Sequence, residues 1–246
     1  MRRIELGAKT LALILAVCAG TVSSAQPKDP PAWWGTNDGL TSIFSWKFQP
    51  NDPDPRKLSL EHGVIAPWGV PDWTFGGDSP PEWYDEWKGG NPNGDVIEPN
   101  RGVYGVGTSL TGSIELNIHN APDPRRIKYV WVQFDRYQGK PNEANPGKVT
   151  PTLRDADGRP AITLSDPRDI NEDILLPNGA KSGWLRTSIL FKIDPQPARE
   201  YLRFDFEGRD TGAAIDNLHV GTHCVPEPMT LLGMATGLLA LARRRR

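Results

Sequence analysis

The side chains best suited to chemistry crowd into one stretch of the chain. Residues 33–90 hold seven of the nine tryptophans: Trp33, Trp34, Trp46, Trp68, Trp73, Trp83 and Trp87. Within it, Asp72 to Gly90 (DWTFGGDSPPEWYDEWKGG) sets Trp73, Phe75, Trp83, Tyr84 and Trp87 among carboxylates. Aromatic rings beside acids suit sugar binding, because ring faces stack on the C–H faces of pyranoses while Asp and Glu accept hydroxyl hydrogen bonds. Trp73, Trp83, Tyr84 and Trp87 are therefore the candidate ligand residues. The competing role is anchorage, since a Trp buries much area and long loops need holding in place.

Acid–base catalysis would need two carboxylates at a set separation, as in glycosidases. Glu82 with Asp85 or Glu86 is such a pair, although Glu82 to Glu86 also suits one turn of helix. The chain has no Gly-x-Ser-x-Gly, His-Glu-x-x-His, Gly-rich phosphate loop or Cys-x-x-Cys motif. No catalytic residue is assigned. His219, His223 and Cys224 are potential metal donors, but they straddle a strand and a tether, so no metal site is assigned to them. Asp155 and Asp157 read as turn formers. Asp216 is either a ligand for structural calcium or a partner for its own backbone through the Asp-Asn pair. No other cofactor is expected.

Both ends read as targeting segments rather than as fold. At the start, Arg2, Arg3 and Lys9 precede the apolar run Leu11 to Val17, and Ser23 and Ala25 stand three and one positions before a cut at Ala25/Gln26. That tripartite order is a secretory signal, removed by signal peptidase. At the other end, Pro226-Glu227-Pro228 is followed by 14 residues from Met229 to Ala242, whose only polar side chains are Thr230 and Thr236, and then by Arg243, Arg244, Arg245 and Arg246. As a helix that segment is about 21 Å long, short of the roughly 30 Å hydrocarbon core, which suits a transient anchor. The arginines would hold its end in the cytoplasm.

This tail resembles a PEP-CTERM sorting signal over about the last 22 residues. The resemblance implies recognition of Pro226-Glu227-Pro228 by an exosortase-type membrane protease. It also implies a place at the cell surface or in the extracellular matrix of an exopolysaccharide-making bacterium.

Net charge sharpens what lies between. The chain carries 28 basic and 30 acidic residues, for a net −2. Removing residues 1–25 takes away three bases and one acid and leaves −4; removing 229–246 takes four arginines and leaves −8. Such an acidic body excludes nucleic-acid binding through clustered cations. Only Cys18 and Cys224 exist, and Cys18 leaves with the signal, so no internal disulfide staples the mature chain.

The middle alternates apolar and polar side chains with period 2. This holds at Thr41 to Phe48, Ser113 to His119, Ile127 to Tyr137, Val149 to Arg154, Ala161 to Leu164, Thr187 to Ile193, Leu202 to Phe206 and Ala214 to Val220. Asp155-Ala156-Asp157-Gly158 is a hairpin turn. With 24 prolines and 25 glycines and no sustained 3.6 period, long helices are excluded from this region. The pattern predicts an all-β, two-layer antiparallel sandwich of jelly-roll type, flanked by an N-terminal signal helix and a short C-terminal hydrophobic helix. Ile215-Asp216-Asn217-Leu218 resembles the closing strand of carbohydrate-binding-module-like jelly rolls. The expected organisation is signal peptide 1–25, β-sandwich 26–222 with its Trp-rich part at 33–90, and sorting and anchor segment 223–246.

Taken together these features predict an exported, non-catalytic surface or matrix protein that binds glycan or exopolysaccharide. A secreted carbohydrate-active enzyme and a purely structural surface protein are the alternatives.

Overall fold

A computed structural model describes residues 27–46, 66–84, 103–120, 126–137, 139, 143–164, 172–175, 179 and 181–226. Within them the regular structure is all strand. In chain order these are β1 (Thr41–Trp46), β2 (Asp72–Gly76), β3 (Glu82–Tyr84), β4 (Val103–Val106), β5 (Thr111–His119) and β6 (Arg126–Tyr137), then β7 (Lys148–Asp155), β8 (Ile162–Thr163), β9 (Glu172–Leu175), β10 (Lys181–Ile193), β11 (Arg199–Glu207) and β12 (Ala213–Pro226). The two apolar terminal segments, with Ser23, Ala25, Glu227, Pro228 and Arg243 to Arg246, lie outside the described residues.

The strands form two antiparallel sheets. The larger runs β3-β4-β12-β6-β10-β8, with β1 also on β12 and β9 also on β10; the smaller runs β2-β5-β11-β7. The chain hops between them: β1 joins the larger sheet, β2 the smaller, and β5, β7 and β11 of the smaller sheet each sit between strands of the larger. That alternation is the jelly-roll connectivity expected from the sequence. Period-2 patterning drives it, because each strand has one apolar face to bury and the facing sheet is where it can go.

The inner faces meet as one core. From the larger sheet come Phe44, Trp46, Val130, Val132, Phe134, Phe191, Ile193, Leu218 and Val220; from the smaller, Ile114, Leu116, Ile118, Val149, Leu153, Leu202, Phe204 and Phe206. Phe134 meets Phe204 edge-on, with ring centroids 5.1 Å apart. A one-residue slip of any of these strands would turn its apolar set outward, so the core fixes register.

β12 is the hinge of the architecture. Its first residues, Ala213 to Ile215, pair with β4, and Leu218 to His223 pair with β1, while β6 runs along its other side. The change of partner coincides with a bulge between Asp216 and His219, where Asn217 has φ 47°. The extra residue re-phases the strand, so that Ile215 and Leu218, three apart, both reach the core. Asn is among the few non-glycine residues that tolerate this conformation.

The Asp155-Gly158 turn forms as expected. Gly158 N–H donates to Asp155 O at 3.0 Å and Asp155 N–H to Arg159 O at 2.9 Å, and Asp155 Oδ1 accepts the amides of Asp157 and Arg159. The strand after the turn does not stay with β7, however: β8 crosses to β10 in the larger sheet. Two further differences concern ends. Glu82 to Tyr84 is an edge strand rather than a helical turn. The last strand continues to Pro226, so Cys224 is a buried strand residue and not part of a tether.

Candidate functional site

The outer face of the larger sheet carries an unusual set of side chains. Strand alternation that sends Val130, Val132 and Phe134 inward sends Tyr129, Trp131, Gln133 and Asp135 outward. Cross-strand register assembles these into rows: Thr41, His223 and Tyr129; Ile43, Gly221 and Trp131; Ser45, His219, Gln133 and Ser188; and Asp216, Asp135 and Arg186. The first and third of these rows set hydrogen-bonding groups beside rings.

The segment preceding β1 lies over this face. Pro31 starts a turn in which Trp34 N–H donates to Pro31 O at 2.8 Å, and the Thr36 hydroxyl donates to Trp33 O at 2.8 Å. This presents two adjacent indoles to the sheet. Trp33 stacks on His223 (centroids 5.4 Å, planes 12° apart). Trp34 stands edge-on to Trp131 at 5.0 Å and to His219 at 6.4 Å. Both rings keep part of their surface in solvent, whereas Trp131 and His219 beneath them are buried.

Gly221 makes the arrangement possible. A Cβ there would lie 2.6 Å from the Trp34 ring and 2.9 Å from that of Trp33, well inside van der Waals contact. Farther along, the Gln133 carboxamide brackets Lys28: Oε1 accepts its N–H at 2.8 Å, and Nε2 donates to its carbonyl at 2.8 Å and to Ser188 Oγ at 2.7 Å.

Polar groups flank the rings. Buried Asp135 holds the Arg186 guanidinium through two contacts, Nε to Oδ1 at 2.9 Å and Nη2 to Oδ2 at 3.2 Å. Asn217 Nδ2 donates to the same carboxylate at 2.8 Å. Arg186 is itself about a quarter exposed, so its fork is oriented by a buried acid yet reaches the surface. Asp216 Oδ1 takes the Asn217 N–H at 2.6 Å, the local backbone bond that its Asp-Asn pair suggested.

His223 links the arm to the sheet electrostatically. Its Nδ1 bonds Thr41 Oγ1 at 2.9 Å and lies 3.8 Å from Asp38 Oδ2. Burial depresses the His223 pKa, against the raising pull of the Asp38 charge. Burial pulls Asp38 upward, but the Leu40 amide, the Thr41 hydroxyl and His223 outweigh it and leave that carboxyl lowered. The sign of the pH effect follows. The unfolded chain binds the His223 proton more readily, so the contribution of this contact is intact above the ordinary histidine range and declines as pH falls through it. Asp38 stays ionised there and adds no slope. Thermal melts between about pH 7.5 and about pH 5 should show falling stability, and His223→Gln should flatten that slope.

Of the candidate aromatic residues chosen from sequence, Trp73 is not brought onto this face. Trp73, in β2 of the smaller sheet, packs against the core, edge-on to Trp46 at 5.2 Å and stacked with Phe75 at 6.2 Å. Trp83 and Tyr84 lie in β3, paired with Tyr104 and Val103 at the edge of the larger sheet. Trp87, Asp85 and Glu86 lie outside the described residues. Pro226 closes β12 opposite Arg126. His223 and Cys224 are adjacent on a strand and face opposite sides, while His219 is about 13 Å along it from His223. Among the described residues no three His, Cys, Asp or Glu side chains gather as a metal-binding group.

Trp33 and Trp34, not singled out among the tryptophans of residues 33–90, join the candidate site. The signal was a Trp-Trp pair beside two prolines, together with a β6 pattern that put Tyr129 and Trp131 on the face away from the core.

No protein-family model matches the chain, and no curated protein is significantly similar to it. Solved structures do match in part. TmCBM61 in complex with β-1,4-galactotriose is 15% identical, covering 60% of this chain and 86% of its own, with a TM-score of 0.34. TmCBM27, a carbohydrate-binding module studied for specific mannan recognition, is 10% identical over 74% of this chain and 97% of its own, with a TM-score of 0.36. The enzymatically active domain of tailspike protein 4 from bacteriophage CBA120 is 16% identical, covering 62% of this chain and 19% of its own, with a TM-score of 0.30.

Proposed function

We propose that the protein is an exported, non-catalytic glycan-binding β-sandwich. The observation that carries this reading is the pair of half-exposed indoles, Trp33 and Trp34, laid on a sheet face lined with Gln133, Ser188, Asp135 and Arg186. Indole faces take the C–H faces of a sugar ring, and the Arg186 guanidinium, about a quarter exposed, takes its hydroxyls. The anchored Asp135–Arg186 pair is pre-oriented, which limits the ordering lost on binding.

The two ends supply the address in this reading. Signal peptidase removes 1–25, the short apolar segment after Pro228 holds the chain briefly in the membrane, and an exosortase-type protease acts at Pro226-Glu227-Pro228. The sandwich then resides at the surface or in the matrix, where exopolysaccharide is the partner at hand. Its last strand ends at Pro226, so a cut after that residue leaves β12 whole.

A glycan array probed with the full-chain protein from an exporting host tests the reading. Binding to a restricted set of poly- or oligosaccharides is expected. Absence of any binding would leave the sandwich as a structural spacer.

A further inference from the structure

Three side chains meet between the sheets at the end where β5 leaves for β6. Lys128 points inward from β6, Glu200 points inward from β11, and Asn120 follows the last residue of β5. The Lys128 and Glu200 side chains are completely buried. Lys128 Nζ contacts both Glu200 Oε1 and Asn120 Oδ1, and Asn120 Nδ2 donates to Glu200 Oε2 and, at 2.6 Å, to Pro197 O. Amine, carboxamide and carboxyl thus each touch the other two. Core residues Ile118, Val130 and Leu202 stand two positions away on the same strands and exclude water.

An ion pair so deeply buried is a poor stabiliser by itself, because desolvation offsets its attraction. The geometry suits a reaction better. We infer that Lys128 and Asn120 join in an intramolecular isopeptide bond, with Glu200 as the proton-transfer group. Near-attack geometries place reacting atoms about 3–3.5 Å apart, and the contact with Oδ1 sets the Lys128 nitrogen against the carboxamide that carries Cγ.

The step balances without oxidant or cofactor. The Lys128 ammonium passes a proton to Glu200, and the free amine attacks Asn120 Cγ. Glu200, hydrogen-bonded to the same carboxamide, passes that proton to Nδ2 as the tetrahedral adduct collapses and takes up the second Nζ proton, so that it ends as the neutral carboxylic acid. The Cγ–Nδ2 bond breaks, ammonia leaves, and an Nζ–Cγ amide remains. Burial raises the Glu200 pKa, against the lowering pull of Lys128 and Asn120, which favours the carboxyl as proton holder. Cys224, the cross-strand neighbour of Lys128, does not compete, because burial pushes its thiol up to about 11 and keeps it protonated. The product would tie the start of β6 in the larger sheet to the end of β5 in the smaller.

Mass spectrometry of the full-chain protein reads this directly. The expected intact mass is about 17 Da (one ammonia) below that of the sequence of whichever processed form is present. A tryptic digest should contain a branched peptide joining residues 102–125 to residues 127–136, with no cleavage after Lys128. Glu200→Gln should restore the unshifted mass and cleavage after Lys128, with circular dichroism reporting whether the sheet is retained. Cleavage after Lys128 and a free 102–125 peptide from folded wild-type protein would overturn the inference, and a fully formed branch in Glu200→Gln would overturn the role of Glu200. If that variant fails to fold, the wild-type map alone decides whether the bond exists.

Discussion

Replacing Glu200 by alanine is expected to destabilise the sandwich by about 3–5 kcal/mol, read as a lower denaturation midpoint in urea at unchanged slope. The loss follows from what is left behind. Lys128 has no exposed surface, and with Glu200 gone its charge would sit in the core with only the Asn120 carboxamide beside it. Neutralising it or admitting water would each disturb the Ile118–Leu202 packing. The double change Lys128→Met, Glu200→Leu leaves no unpaired charge in the core and should be less destabilised than Glu200→Ala, since apolar replacement of a buried pair is often neutral. A Glu200→Ala midpoint close to that of wild type would show that the cluster is not structurally coupled to the core.

Gly221→Val is expected to lift the Trp33–Trp34 arm off the sheet while leaving the sheet in place. Valine is a good strand residue, but its Cβ would lie 2.6 Å from the Trp34 ring, and neither β12 nor the indole can yield that space within a packed face. Tryptophan fluorescence should shift to the red as both indoles enter water, and glycan affinity should fall at least about tenfold, or about 1.4 kcal/mol. The global melting transition should move much less, because the core residues of β12, Leu218 and Val220, point the other way. Unchanged fluorescence would mean that the arm is not held by the contact at Gly221.

The sheets were legible in the sequence because burial on one face writes itself as alternation. Leu202, Phe204 and Phe206 read as a strand and are one, and Ile114, Leu116 and Ile118 likewise. Pairing across sheets was not legible. Nothing in Ala161 to Leu164 says that it leaves its hairpin for β10, because partner choice depends on strands some thirty residues away. The β12 bulge was not legible, since Ala214 to Val220 read as plain alternation, and its change of partner from β4 to β1 needed the fold.

Trp73 lies away from that sheet face for a related reason. Density of tryptophan pointed to Asp72 to Gly90, but Trp73 spends its ring on the core against Trp46. The half-buried pair, Trp33 and Trp34, gains its meaning from Trp131, His219 and His223, which are far along the chain and come together only through the register of β1, β6 and β12. The Lys128–Asn120–Glu200 cluster was invisible for the same reason, as one inward lysine in a strand is not a signal until its partners face it.

The most direct test of the central claim is calorimetric titration of the full-chain protein with the best glycan from the array, beside a Trp33→Ala, Trp34→Ala double variant of unchanged melting temperature. Stacking on these two indoles predicts saturable binding by wild type and at least about tenfold weaker binding by the variant. Equal affinity for the two proteins would contradict it and move the glycan to another surface.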